Sequence, residues 1–164
     1  MQQWSKRVIE EANLFNPAFC AALLFRAADG FTKKTHRPLP FALAFLVLPI
    51  VLHKRTRTNL PGSTITSILS WIQEHRDLVV GFATRAQHTR GITREAILFG
   101  VAHQILTFTD EGELATKRRL SLEKGMELFT NETQECVDRA AFIGRWFGAA
   151  GTTEAVYSAW GVSP

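Results

Sequence analysis

One stretch of the chain, from Gly91 to Arg119, changes its hydrophobic period from that of a helix to that of a strand, and this limits the fold more than any other feature. Thr93 can cap the helix, whose apolar face would then be formed by Ile97, Leu98, Val101, Ala102 and Ile105. From Leu106 to Phe108 the period becomes two, and turn residues at 110–112 precede a second strand over 113–117. A helix that leads directly into a β-hairpin is typical of the second half of a winged helix-turn-helix.

The residues before this stretch predict the two other helices of such a unit. The chain breaks at residues 61–62, and Ser63 or Thr64 can then cap a helix with an apolar stripe at Ile65, Ile68, Leu69 and Ile72. Asp77 is placed to cap a second helix, which ends before the third one begins. The order of three helices and a hairpin predicts a winged helix-turn-helix over residues 61–120.

The amino-terminal part is also predicted to be helical. Asn16-Pro17 is a helix start, because Asn can cap and Pro fits the first turn, and Gly30 is the expected end of that helix. The apolar run from Leu39 to Leu52 has no period of its own. Its length favours a buried helix, kinked or ended by Pro49, over a central strand.

Two further helices are predicted near the carboxyl end. Asn131 and Gln134 have the spacing of a capping box, and Thr152 or Thr153 can cap a final helix that Gly161 ends. We therefore expect the 164 residues to form one mainly α domain. It consists of N-terminal helices over 1–60, the winged helix-turn-helix with one β-hairpin wing over 61–120, and C-terminal helices over 121–164.

The sequence has no arrangement of residues with the spacing of a catalytic or metal site. It contains no glycine-rich phosphate loop and neither of the motifs GxSxG and HExxH, and its five histidines are scattered. Cys20 and Cys136 lie far apart in apolar helical segments, where buried free thiols are expected more than a disulfide. We therefore predict a protein that is not an enzyme and uses no cofactor or metal ion.

Two segments bear on the cellular location. The first fifteen residues are too polar for a signal peptide. The apolar run over residues 39–52 is shorter than the about 20 residues that a membrane-spanning helix needs. We expect a cytoplasmic protein without membrane contact.

The formal net charge of +4 permits nucleic acid or an acidic protein as a partner but requires neither. A DNA-reading helix presents Arg, Lys, Asn or Gln outward, whereas the predicted third helix offers Phe99 and Gly100, and the predicted tip of the wing is acidic. Docking to protein therefore fits this unit better than reading of base edges. The candidate contacts for DNA or an acidic partner are Lys54, Arg55, Arg57, Arg94, Lys117, Arg118 and Arg119.

Aromatic residues are the candidates for a protein interface. The chain has 4 tryptophans and 12 phenylalanines, more than one small core obviously needs. Packing in the core is the alternative, because aromatic side chains are buried there more often than in an interface. The candidate interface residues are Trp71, Phe99, Trp146, Phe147 and Trp160.

Short motifs along nearly the whole chain point to one family. They are Asn16–Phe19, Leu39-Pro40, Leu48-Pro49 with Leu52–Lys54, Thr93–Ala96 with Phe99-Gly100, Gly144–Phe147 and Gly161–Pro164. Together they resemble the middle component of bacterial three-component ABC ATPase systems, which include the Lamassu type and act against phage or plasmids.

The resemblance implies a non-catalytic adaptor that bridges an SMC-like ABC ATPase and an effector, expected to be a nuclease. DNA would then be reached through the complex. The alternative is a stand-alone winged-helix transcriptional regulator, which would bind DNA as a homodimer.

Overall fold

The computed structural model describes residues 15–117 and 130–163, and helices dominate both ranges. The elements are α1 (Pro17–Thr35), α2 (Phe41–Val51), α3 (Lys54–Thr58), α4 (Ile68–Glu74), α5 (Arg76–Val79), α6 (Phe82–Ala102), β1 (Leu106–Phe108), β2 (Leu114–Thr116), α7 (Asn131–Ala149) and α8 (Thr153–Ala159). The mainly α class is thereby confirmed. The predicted lead-in helix over 1–15 and the helical turns after residue 120 lie almost wholly outside the described residues.

Helices α1 and α7 form the centre of the core and pack backbone against backbone. A Cβ atom on Gly30 would collide with the carbonyl oxygen of Ala141, and one on Gly144 with that of Ala27. The prediction that Gly30 ends α1 is therefore wrong, because this glycine is needed where the helices cross. The helix continues for five more residues and ends at His36, which adopts the left-handed conformation with φ 59°.

The apolar run after residue 39 forms helix α2, as predicted. Pro40 precedes its first residue, and Pro49 lies in its last turn, where the missing N–H removes only one helical hydrogen bond. Leu39, just before the helix, pairs with Leu114 of the hairpin through two backbone hydrogen bonds of 3.0 and 2.8 Å. The hairpin is thus held to the start of α2.

Helix α6 differs from its prediction, because a single helix of 21 residues replaces two helices with a break near Gly91. Thr93 does not cap it. Its side chain is buried in the middle of the helix, and its hydroxyl donates to the carbonyl oxygen of Thr89 at 3.0 Å. That bond satisfies the hydroxyl inside the core. Gly91 stays helical because glycine lowers helix stability by only about 1 kcal/mol relative to Ala.

The two helices predicted before Gly91 also differ from the structure. The first is the short helix α4, and most of the second, predicted to follow Asp77, forms the beginning of α6. Ser67 caps α4, accepting from the amide of Ser70 at 3.1 Å, in place of Ser63 or Thr64. The predicted stripe is therefore half wrong: Ile68 and Ile72 are buried, while Ile65 and Leu69 are exposed. Asp77 does not cap α5 but lies in its first turn, which is the only turn of that helix.

The hairpin confirms the predicted strands, with Leu106 opposite Thr116 and Phe108 opposite Leu114. Gly112 takes a positive φ of 80° in the turn, as a hairpin loop requires. A helix followed at once by a hairpin is therefore present. The winged helix-turn-helix as a whole stays a prediction, since the second and third helices predicted for it are one continuous helix, α6.

The two helices at the carboxyl end begin at threonine caps. Thr130 caps α7 and accepts from the amide of Thr133 at 3.2 Å, so the predicted cap at Asn131 is one residue off. Gln134 donates to Asp138 rather than completing a capping box. Thr152 caps α8, as predicted. Both cysteines are buried free thiols, also as predicted.

Candidate docking surface

Four of the five aromatic interface candidates lie in the core. Trp71, Trp146, Phe147 and Trp160 are each at most 2% exposed. The ring of Trp71 packs 5.7 Å from that of Trp146 and 5.8 Å from that of Trp160, measured between centroids. These four side chains therefore hold the chain together and are not accessible to a partner of the folded protein. The fifth, Phe99, is half-buried and stacks on His103 at 3.9 Å.

The basic candidates near residue 55 are largely engaged within the chain. Arg57 is 1% exposed and donates to Glu132 at 2.8 Å, to Glu135 at 3.0 Å and to the carbonyl of Val51 at 2.9 Å. It fastens α3 to α7 and the end of α2, so it is a structural residue rather than a contact for DNA. Its neighbours are exposed but also paired: Lys54 with Glu132 at 3.6 Å and Arg55 with Asp77 at 2.6 Å.

The ion pairs of Arg57 and Lys54 with the carboxylates of α7 stabilise the charged forms of Arg57 and Glu132. Burial alone would lower the pKa of Arg57, but hydrogen bonds with Glu135 and Glu132 outweigh it and raise that pKa. The hydrogen bond from Arg57 and the charge of Lys54 lower the pKa of Glu132 below its ordinary 4.5. Arg57 and Glu132 are therefore an ion pair at neutral pH.

The remaining basic candidates are on the outside. Arg94 is exposed on α6, and Lys117 is exposed just after β2. Arg118 and Arg119 lie outside the described residues. Arg94 belongs to a line of exposed side chains at steps of three or four residues, which share one face of a helix. This line, called here the outer stripe of α6, consists of Gln87, Arg90, Arg94, Leu98 and Val101.

The buried face of α6 is rotated from the predicted one. Ile97 and Ile105 are buried as expected, but Leu98 is 65% and Val101 37% exposed. Small and polar residues form the buried face in place of Leu98 and Val101. Gly100 is one of them, and a Cβ atom there would lie only 2.6 Å from the side chain of Leu106. The buried residues of α6 are Phe82, Thr89, Thr93, Ala96, Ile97 and Gly100.

An aromatic cluster joins α2 to the hairpin. The rings of Phe41 and Phe45 meet edge to face with centroids 5.1 Å apart, and those of Phe41 and Phe108 with centroids 5.6 Å apart. Phe41 is 40% and Phe108 43% exposed. Two large apolar side chains thus remain partly in water at the point where helix and hairpin meet.

A groove of about 720 Å³ separates the outer stripe of α6 from α2 and the carboxyl-terminal segment. Four residues of α2 line it, and the hydroxyl of Tyr157 in α8 donates to the carbonyl of Ala42 at 2.7 Å, which ties the two helices together. The groove is lined by Phe41, Ala42, Phe45, Leu46, Ala83, Ala86, Gln87, Arg90, Arg94, Tyr157, Gly161, Val162 and Ser163.

Neither a metal site nor a membrane-spanning helix is found in residues 15–117 and 130–163. No three His, Cys, Asp or Glu residues there are grouped so that they could hold a metal ion. None of the helices in these ranges combines the length and the apolar character needed to cross a membrane.

Of the outer stripe, sequence reasoning selected only Arg94, and it assigned Leu98 and Val101 to the buried face of the helix. It did not select Phe41 or Phe108. The three- and four-residue steps between Gln87 and Val101 were the available signal. These steps form one exposed face only if α6 is a single helix. The predicted break at Gly91 assigned the residues to two different helices.

The comparisons with known proteins gave one match. A family model, described as the ABC-three component (ABC-3C) system Middle Component 3, matches residues 4–164. No curated protein and no solved structure matches the chain. The matched range contains every helix and strand given above, and all the residues that line the groove.

Proposed function

Because the chain belongs to the ABC-three component system Middle Component 3 family, we propose that it is the non-catalytic adaptor of such a system. Its partners are an SMC-like ABC ATPase and an effector, expected to be a nuclease, and the complex acts in the cytoplasm against phage or plasmids. Membership in the family confirms the resemblance that the short motifs indicated. The bridging role and the nature of both partners are the proposal.

The observation that carries this proposal is the exposed apolar surface at the end of α6 and the hairpin. It is called here the first docking surface and consists of Phe41 and Phe108, whose rings are in contact, and of Leu98 and Val101 near the end of α6, the helix that leads into the hairpin. Each of the four is more than a third exposed. Large apolar side chains that are grouped on a surface mark protein interaction sites, and their burial stabilises an interface centre. A helix and a wing used in this way would dock protein rather than DNA.

An adaptor also needs a second surface. Three more large apolar side chains are exposed between residues 65 and 80, on and around α4 and α5, namely Ile65, Leu69 and Val80. This second docking surface involves other elements than the first, which is formed by α2, α6 and β1. We assign one partner to each surface.

The experiment is co-expression of this chain with the products of its two neighbouring genes, followed by native mass spectrometry. A complex that contains all three proteins is expected. Leu98→Glu should release one partner and Leu69→Glu the other, because each places a charge in the centre of one interface. A chain that purifies alone from this mixture would contradict the proposal.

The same preparation tests the alternative of a transcriptional regulator. That function requires a homodimer that shifts DNA in a sequence-dependent manner, and substitution of Arg94 and of Lys117 through Arg119 should weaken the shift. A sequence-dependent shift by the isolated chain, without formation of the three-protein complex, would favour the regulator over the adaptor.

A further inference from the structure

The groove beside α6 is suited to bind apolar side chains of another protein. Phe41, Phe45, Leu46 and the small residues Ala83 and Ala86 provide apolar surface within about 720 Å³ of space. Apolar walls with a few polar groups are typical of concave binding sites. The groove runs toward the first docking surface, because Phe41 belongs to both.

One wall of this groove is positively charged. Arg90 and Arg94 are exposed and lie one helical turn apart, which places their Cβ atoms about 5–6 Å from each other. Among residues 15–117 and 130–163, none that lines the groove is acidic. The two guanidinium groups are thus presented to whatever enters the groove, and an occupant with two carboxylates at a similar spacing would complement them.

We propose that the groove binds a segment of a partner protein in which acidic side chains alternate with apolar ones. The carboxylates pair with Arg90 and Arg94, while the apolar side chains cover Phe41 and Phe45. Carboxylates one turn apart on a helix, or two residues apart on a strand, have the required spacing of about 6–7 Å. This inference rests on the proposed function and specifies the chemistry of one of its contacts.

Nucleic acid fits the groove less well than such a segment. Binding of DNA takes its affinity from many phosphate contacts, whereas the lining residues that the structure describes include two cations. The ring of Phe41 is packed edge to face against Phe45 and Phe108, so it is not presented as a free platform for a base. The apolar lining of the groove favours protein side chains.

Photo-crosslinking in the complete complex identifies the occupant. A benzoylphenylalanine placed at Gln87, which is exposed and lines the groove, should crosslink to a partner segment that contains at least two acidic residues within two helical turns. The same photo-reactive residue at Ser158, exposed on α8 outside the groove, is the control for position. A crosslink to nucleic acid, to a segment without acidic residues or to residues 1–14 of the chain itself would overturn the inference.

Charge reversal tests the pairing. The double variant Arg90→Glu/Arg94→Glu should weaken binding of one partner by about tenfold or more, and Arg90→Lys/Arg94→Lys much less, since lysine keeps the charge. Replacement of the crosslinked acidic residues by lysine should restore binding to the Glu variant. Arg145→Glu, at an exposed position on α7, is the matched control and should leave binding unchanged.

The outcomes separate this inference from the proposed function. If the unaltered chain forms no complex, the adaptor role fails. If the complex forms and the Glu variant binds both partners as tightly as the Arg145→Glu control does, the adaptor role stands and the assignment of the groove is overturned.

Discussion

Gly144 in α7 lies directly against the backbone of Ala27 in α1. A Cβ atom at residue 144 would collide with the Ala27 carbonyl oxygen and lie 2.8 Å from the amide nitrogen of Phe31. Gly30 makes the reciprocal approach from α1 to the Ala141 carbonyl. Two glycines thus allow the central helices to pack more closely than any side chain would permit, and the rest of the core is arranged around that crossing.

We expect Gly144→Ala to destabilise the fold by about 3 kcal/mol or more, because the new methyl group can be accommodated only if the two helices separate. Urea denaturation followed by circular dichroism measures the change. Gly91→Ala is the matched control, since it lies in a helix with nothing within 4 Å of the added methyl group. That change should stabilise the fold by about 0.5–1 kcal/mol. Equal effects of the two substitutions would contradict the close crossing.

Much of the fold was predictable where the signal is local. The Asn16-Pro17 start, the Thr152 cap and the switch to a hairpin at Leu106 depend on residues within one or two turns of each other. The end of α1 was missed because the role of Gly30 depends on Ala141, more than a hundred positions away in the chain. Local signals also predicted a helix start at Thr93 within α6, because they do not show that this residue is buried in the middle of one long helix.

The candidate site was predicted less well, for two physical reasons. Aromatic residues such as Trp71 and Trp146 are typical of cores and of interfaces alike, and composition does not separate the two. A charged residue such as Arg57 looks exposed until its partners are known, and Glu132 and Glu135 come from a helix 75 to 78 residues later in the chain. Only packing shows that Leu98 is outside and Arg57 inside.

Arg57→Met should destabilise the fold by about 2–4 kcal/mol, because it removes charge-assisted hydrogen bonds and leaves the Val51 carbonyl with only the long contact of 3.9 Å from the Cys136 thiol. Equilibrium unfolding in urea at pH 7 gives the value. Lys54→Met removes a more exposed ion pair with the same Glu132 and should change stability by less than about 1 kcal/mol. A loss for Arg57→Met no larger than that for Lys54→Met would show that the buried network is unimportant.

His53 should make stability depend on pH below about 6.5. Burial, together with the charges of Arg85, Arg55 and Arg57, lowers its pKa from the ordinary 6.5. Its Nδ1 accepts from the amide of Thr56 at 3.3 Å, so a proton would have to bind at the atom that caps α3. The unfolded chain therefore takes up this proton first, and stability falls as the pH decreases from 6.5 through the folded pKa.

His53→Asn isolates this contribution, because asparagine caps a helix without titrating. Its free energy of unfolding at pH 7.5 should lie within about 0.5 kcal/mol of the unaltered chain. Between pH 6.5 and 5 the variant should lose less stability than the unaltered chain does. Parallel stability curves for the two proteins over this range would exclude His53 as the titrating group.

Leu98→Ser should weaken binding of one partner without affecting the fold. The side chain is 65% exposed, so its removal should change the free energy of unfolding by less than about 0.5 kcal/mol. If Leu98 lies in the centre of an interface, the dissociation constant should rise by about tenfold or more. Surface plasmon resonance with each partner gives that constant. Ile65→Ser changes an even more exposed side chain on the second docking surface, and it should weaken binding of the other partner instead. If both variants lose the same partner, the assignment of one partner to each surface is wrong.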